Sequence, residues 1–144
     1  MVIHQNILDG YPDTTVAFGN DAFLSFEYLM RKLGAKKIVV FTGRHSADAT
    51  GIWRRFLASC KFLNLSIARF SDIAAEPDTE TVERMIQFLQ VERPDEIIAI
   101  GGGSAMDAAK AAYLVYQAGG TIYDYFGTNK YSDAQPARKI KKVI

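Results

Sequence analysis

The sequence predicts an α/β protein in which helices flank a parallel β-sheet to give three layers. Two observations carry this prediction. Short β-rich segments alternate with longer segments of helical periodicity, and residues 37–42 carry a continuous apolar run of the kind found in strands covered on both faces. Alternating strands and helices are typical of right-handed crossover units, which place a ligand crevice at the carboxyl ends of the strands.

The first half of the chain predicts two strands and two helices. A strand over 15–18 precedes a helix whose apolar residues recur every three or four positions, and Gly34 follows it where a left-handed C-terminal cap is expected. A strand over 37–42 then leads into a turn over 43–46. A single helix is expected from that turn to about residue 62, with Cys60 as an inert thiol on its apolar face.

The second half repeats the pattern. A strand over 65–70 precedes a helix that Asp78 opens as N-cap, and Pro94 follows its end. A strand over 96–100 then delivers three glycines to a helix that is expected over residues 104 to about 117. Residues 121–131 are expected to be a loop, and residues 142–144 look like a strand cut off at its start.

The length and composition predict one soluble domain. At 144 residues the chain is expected to form a single domain over 1–144, with a core over 14–120 and a loop and truncated strand over 121–144. The 17 basic and 16 acidic residues leave a net charge of +1, which argues against nucleic-acid and membrane-surface partners. One cysteine excludes an internal disulfide. With no secretory signal and no apolar membrane span, a cytoplasmic protein is expected.

The segment over 96–110 carries the richest chemical signal. A buried strand delivers Gly101, Gly102 and Gly103 to the first turn of a helix, where free N–H groups and the helix dipole favour a phosphate. Ser104 and Asp107 have the spacing of a capping box, and Lys110 lies one turn further, where it can pair with Asp107. The alternative interpretation is a tight turn that opens a well-capped core helix.

The common phosphate-binding motifs do not fit this glycine turn. The dinucleotide fingerprint would need a third glycine where Met106 stands, and no Gly-Lys-Ser/Thr triplet follows the glycines as a P-loop requires. Asp124, about 20 residues on, could serve as the ribose acid of the fingerprint, but the segment before it is a poor strand.

The glycine segment is similar to the most distinctive segment of the iron-containing (type III) alcohol dehydrogenases. The resemblance extends over about residues 14–144 and is to the N-terminal nucleotide-binding domain of that family. It implies a Rossmann-like domain of the dehydroquinate synthase-like fold that lacks the C-terminal helical domain. The supporting features, in chain order, are Phe18-Gly19, Leu33-Gly34-Ala-Lys-Lys37, Gly51 and Glu76-Pro77-Asp78-Thr79.

Cofactor-binding roles follow from this resemblance. It implies that Gly102, Gly103 and Ser104 hold the dinucleotide pyrophosphate, with Gly101 in the same turn. It also implies that Asp107 lines the cofactor cleft, a residue that helix capping explains equally well.

A second cofactor site is implied at the end of the 37–42 strand. NAD-preferring members carry an acid directly after the threonine that matches Thr42, whereas this chain carries Gly43. Glycine does not repel a 2′-phosphate and Arg44 can pair with one, which favours NADP while leaving NAD open. The alternative is that Gly43 only turns the chain and Arg44 is solvated.

The resemblance implies hydride transfer between a small alcohol or aldehyde and NAD(P), with iron or zinc held by a later helical domain. The two histidines of this chain lack partners at metal-ligand spacing, so no metal site and no activity of the chain alone are expected. Apolar surface left uncovered would favour a homo-oligomer. The alternatives are a non-catalytic nucleotide-binding module, a split-gene fragment, or an α/β domain for another phospho-ligand.

Overall fold

A computed structural model of the chain describes residues 2–5, 15–18, 22–127, 130 and 142–143. The chain divides into two compact units, Met1–Ala35 and Lys36–Ile144. The single domain expected over 1–144 therefore stays a prediction.

The first unit contains two strands and a helix. Strands β1 (Val2–Gln5) and β2 (Thr15–Phe18) pair antiparallel, and helix α1 spans Leu24–Leu33. Gly34 has φ 67°, and its N–H bonds back to the last turn of the helix, which confirms the predicted left-handed cap. Strand β2 and helix α1 were predicted from the sequence, and strand β1 was not.

The second unit is built on a four-stranded parallel sheet. Its strands lie in the order β4, β3, β5, β6, and each pair of neighbours is parallel. The parallel sheet is thus confirmed, and the strand predicted to start at residue 142 forms β6, with Ile144 outside the described residues. The strand bounds are β3 Lys37–Gly43, β4 Ser66–Ile73, β5 Glu96–Ile100 and β6 Lys142–Val143.

Four α-helices and one 3-10 helix connect and cover these strands in the described part of the second unit. They are α2 Ser46–Ala49, α3 Ile52–Phe62, α4 Thr79–Glu92, α5 Gly103–Ala118 and the 3-10 helix Ile122–Tyr125. Asp78 caps α4 as predicted, because its Oδ1 accepts a 2.8 Å hydrogen bond from the Thr81 N–H.

The single helix predicted to reach residue 62 is wrong. Gly51 adopts φ +74°, a left-handed conformation that ends α2 and lets α3 start in a new direction. The apolar spacing of Ile52, Phe56 and Cys60 does describe α3, whose Phe56 and Cys60 are buried. The apolar periodicity therefore identified α3. Gly51, which lies within the single predicted helix, is where the observed chain breaks into two helices.

The loop predicted over 121–131 is also partly wrong, because its first residues form the 3-10 helix. Thr121 and Asp124 make a capping box there, in which the Asp124 carboxylate accepts the Thr121 N–H at 2.7 Å. The Ile122 N–H donates to Glu83 Oε1 at 2.6 Å, so this short helix is tied to α4. Residues 128–129 and 131 lie outside the described residues.

Successive residues of β3 point to opposite faces of the sheet and bury both. Val39 and Phe41 pack with buried apolar residues of α4 and α5 in one cluster. Arg69 of β4 lies opposite Val40 in the strand register and stacks on Trp53 of α3, so α3 covers the other face. This arrangement confirms the predicted three layers. Within the part of the chain that the structure describes, no helix is long and apolar enough to cross a membrane.

Candidate functional site

The strand order creates a crevice between β3 and β5. These strands are neighbours in the sheet, yet the chain leaving β3 enters α2 and α3 on one face while the chain leaving β5 enters α5 on the other. The two connections separate at the carboxyl ends of the strands, which is where open α/β sheets bind ligands. The crevice was predicted at this edge of the sheet.

A pocket of about 450 Å³ occupies this position. Three chain segments form its wall: the turn after β3, the end of β4 with the residues that follow, and the glycine turn that opens α5. The lining residues are Gly43, Arg44, His45, Ser46, Ile73, Ala74, Ala75, Gly102, Gly103, Ser104 and Ala105.

The three glycines of the α5 turn differ in what the fold requires of them. Gly101 has φ +155°, and a Cβ there would lie 2.9 Å from the Ala105 Cβ, so the fold itself needs glycine. Gly102 has an ordinary φ of −81°, and a Cβ at Gly102 or Gly103 would meet no atom within 4 Å. The space beside Gly102 and Gly103 is therefore open to a ligand that approaches the backbone closely.

The start of α5 is capped differently from the prediction. Its N-cap is Gly102, which offers no side chain, so the capping box expected from Ser104 and Asp107 is wrong. The Ser104 hydroxyl instead donates to the carbonyl of Ala75 and ties the helix to the segment after β4. The first N–H groups of this 16-residue helix have no intrahelical acceptor and lie at the pocket.

Asp107 is exposed and is not part of the pocket lining. Its carboxylate is 73% exposed and pairs with Lys110 Nζ at 3.0 Å, as the spacing predicted. Neither Asp107 nor Gly101 is among the residues that line the pocket. The cofactor contact expected of Asp107 stays a prediction.

The turn after β3 supplies the one guanidinium group of the pocket lining. A Cβ added to Gly43 would lie 3.5 Å from Ser46 Oγ, an ordinary contact, so glycine is not required there by packing. Arg44 lines the pocket and is half exposed, and its Nε donates to Asp72 Oδ1 at 2.8 Å. Arg44 is therefore held by a carboxylate rather than simply solvated.

Asp72 also accepts a 2.8 Å hydrogen bond from Arg84 Nη1 on its other oxygen. The Arg84 and Arg44 guanidiniums hold the pKa of the Asp72 carboxyl below its usual value, so this aspartate is charged at neutral pH. The lining of the pocket itself contains the Arg44 cation and no carboxylate. Its open helix N-terminus and single cation suit an anionic ligand.

The structure brings together five of the seven predicted site residues: Gly43, Arg44, Gly102, Gly103 and Ser104. The wall formed by the last residue of β4, Ile73, and by the following Ala74 and Ala75 was not predicted from the sequence. The predicted parallel sheet could have indicated it, because carboxyl ends of adjacent parallel strands share one edge. Among the described residues, no three His, Cys, Asp or Glu side chains are grouped as a metal ion would require.

Comparison with known proteins places the chain in a family. The sequence profile of the iron-containing alcohol dehydrogenases matches residues 13–144. A mitochondrial hydroxyacid-oxoacid transhydrogenase of Caenorhabditis elegans is 33% identical over 101 residues, covering 70% of this chain and 22% of that protein. An NAD-dependent methanol dehydrogenase of Bacillus methanolicus is 32% identical over 100 residues, covering 69% of this chain and 26% of the relative.

Solved structures give the same picture at the level of the fold. An NADH-dependent butanol dehydrogenase of Thermotoga maritima superposes with a TM-score of 0.79 over 96% of this chain and 34% of its own, at 22% identity. The match thus spans about a fifth to a third of the length of these three proteins. On the profile match, which covers nearly the whole sequence, the chain belongs to the iron-containing alcohol dehydrogenase family.

Proposed function

We propose that this chain binds a nicotinamide dinucleotide in the pocket between β3 and β5. The observation that carries the proposal is the open space beside Gly102 and Gly103, two glycines that neither backbone conformation nor packing requires. A pyrophosphate lying on this turn would accept hydrogen bonds from the first N–H groups of α5 and would gain from the helix dipole. Ser104, held by the Ala75 carbonyl, fixes that helix start to the opposite wall.

The dinucleotide would serve the hydride chemistry of the family. When bound, a nicotinamide ring accepts or donates the hydride that converts an alcohol to its aldehyde or ketone and back. The residues of this chain would hold the phosphates and orient the cofactor in the crevice. We propose oxidation of a small alcohol, or reduction of its aldehyde, as the reaction of the protein in which this segment works.

A substitution at Gly103 tests the pyrophosphate contact. Gly103→Val fills the open space with a Cβ and two methyl groups, so we expect the affinity for NADP⁺ to fall by roughly tenfold or more. Gly103→Ala adds only the Cβ and should give a smaller loss. Calorimetric titration measures the affinities, and thermal unfolding checks that both variants fold. Equal affinity of the wild type and Gly103→Val would remove the pyrophosphate from this turn.

We further propose that the site prefers NADP to NAD. The absence of an acid at Gly43 and the Arg44 guanidinium in the pocket lining support this preference, because a 2′-phosphate would meet a cation there and no carboxylate in that lining. Asp72, which precedes the lining residue Ile73 in the chain, accepts a hydrogen bond from Nε of Arg44. The two terminal nitrogens of the Arg44 guanidinium could then donate to the phosphate.

A charged and an uncharged variant at Gly43 separate charge from size. Gly43→Asp should shift the ratio of NADP⁺ to NAD⁺ affinities toward NAD⁺ by about tenfold, since a carboxylate would stand against the 2′-phosphate. Gly43→Asn has nearly the same shape without the charge and should change the ratio little. A wild-type chain that binds NAD⁺ more tightly would contradict the proposed preference.

A further inference from the structure

The wall of the pocket formed by residues 43–46 leads into an unusually short helix. Helix α2 has four residues, a single turn, and a helix of that length is not stable by its own hydrogen bonds. Gly51 then breaks the chain direction before α3 begins. The position of this wall must therefore be fixed by contacts from outside the turn.

One side chain of β4 supplies such contacts to both ends of the turn. Arg69 Nε donates to the Thr42 hydroxyl at 3.0 Å, directly before residue 43. Its Nη1 and Nη2 groups donate to the two carboxylate oxygens of Asp48 at 3.1 and 2.5 Å, two residues after Ser46. The two anchoring points thus flank the pocket-lining residues closely.

The guanidinium of Arg69 is itself held in place. It lies 4.1 Å from the centre of the Trp53 ring, and the Arg69 side chain is only 19% exposed. Thr42 is fully buried at the end of β3. Arg69 therefore joins β3, α2 and α3 through one rigid, planar group whose fork matches a carboxylate bidentately.

We propose that Arg69 is a positioning residue of the nucleotide pocket. It holds both ends of the 43–46 turn, and so fixes the distance between that wall and the glycine turn of α5. The inference rests on the proposed dinucleotide binding, to which it adds a residue outside the pocket lining. A lysine cannot replace Arg69, because a single ammonium group lacks the fork that reaches Asp48 and Thr42 together.

The ion pair between Lys37 and Glu92 offers a matched control. Its atoms are 2.8 Å apart, and it joins β3 to the end of α4 at the opposite end of the strand from the pocket. Lys37→Met removes that pair and leaves the turn after β3 untouched. If Arg69 contributed only to general stability, Arg69→Lys and Lys37→Met would have the same effect on hydrogen exchange at the pocket and on NADP⁺ affinity.

The experiment compares the full chain carrying Arg69→Lys, Asp48→Asn or Lys37→Met with the wild type. Hydrogen exchange without ligand should be faster over residues 43–49 in the first two variants and unchanged in the third. Calorimetry should show NADP⁺ binding roughly tenfold weaker in the first two variants and within about twofold of wild type in the third.

The outcomes distinguish the inference from the function on which it rests. If the wild type does not bind NADP⁺, the proposed function fails, and the exchange data alone decide whether Arg69 holds the turn. If the wild type binds and Arg69→Lys leaves both exchange and affinity at wild-type values, the positioning role is overturned. A thermal unfolding midpoint lowered equally in Arg69→Lys and Lys37→Met, with no difference at the pocket, would also overturn it.

Discussion

At the scale of single residues, identical amino acids have different reasons to be where they are. Gly101 is imposed by the backbone and by Ala105, whereas Gly102 and Gly103 are imposed by nothing in the fold. These roles could not be predicted from the sequence, because φ angles and neighbouring atoms depend on the folded chain. Cys60 shows the opposite case: its place in an apolar stripe predicted a core thiol, and burial raises its pKa to about 12.

Arg44 was predicted as a site residue, but its ion pair with Asp72 was not predicted, because the pair depends on the register between β3 and β4. Phe41 lies opposite Phe70, but Gly43 lies opposite Ile73, so β4 carries one extra residue at this point. Asp72 falls in that irregularity, where it pairs with Arg44. A shift of one residue between paired strands leaves no mark in the sequence, and the ion pair was therefore not predictable from it.

A prediction at this scale concerns Asp95. Its Oδ2 accepts the N–H groups of Lys37 and Lys36 at 2.8 and 2.9 Å, and these bonds hold the pKa of the Asp95 carboxyl below its usual value. A carboxyl whose pKa is lowered by folding stabilises the fold above its unfolded pKa of about 3.9, and that contribution is lost as the pH falls through the folded pKa.

Asp95→Asn should therefore lower the free energy of unfolding at pH 7 by up to about 1 kcal/mol, a modest value because the side chain is exposed to solvent. At an acidic pH below the folded pKa the wild-type carboxyl is protonated, and the difference between the two proteins should shrink. Urea unfolding at both pH values provides the measurement. A difference that stays constant with pH would show that the charge of Asp95 plays no part.

At the scale of elements, hydrophobic periodicity predicted α1, α3 and α4 and misjudged where a helix is interrupted. Helix α5 was predicted to within about one residue at each end, and Asp78 correctly marked the start of α4, whose end was predicted only as lying before Pro94. The region 46–62 reads as one helix because glycine is tolerated within helical patterns. Only its left-handed φ turns Gly51 into a break.

The break at Gly51 makes a prediction about stability. Gly51→Ala must hold an L-residue at φ +74°, which should lower the free energy of unfolding by about 1–2 kcal/mol. Gly103→Ala is the matched control, because Gly103 is a helical residue of α5 without a positive φ and no atom lies within 4 Å of the added Cβ. Denaturant titration compares them. Gly51→Ala as stable as the wild type would indicate that α2 and α3 can join into one helix.

At the scale of the whole molecule, the alternation of strands and helices predicted a parallel sheet without giving its strand order. The order β4, β3, β5, β6 follows from which helices cross to which face, and it alone decides that the turns after β3 and β5 meet. The family resemblance had already implied that both of these turns bind the cofactor. What it could not supply is the wall contributed by β4, or the Arg69 network behind the turn.

The position of the bound dinucleotide decides whether the pocket between β3 and β5 is a cofactor site, and chemical-shift mapping measures this position directly. Adding NADP⁺ to the isotope-labelled chain should move backbone amide signals chiefly at residues 43–46, 73–75 and 102–105, the three segments that line the pocket. Amide signals at the amino ends of β3 and β5, around Lys37 and Asp95, should stay in place. Binding that shifts signals away from these three segments, or no shift at millimolar NADP⁺, would contradict the proposed site.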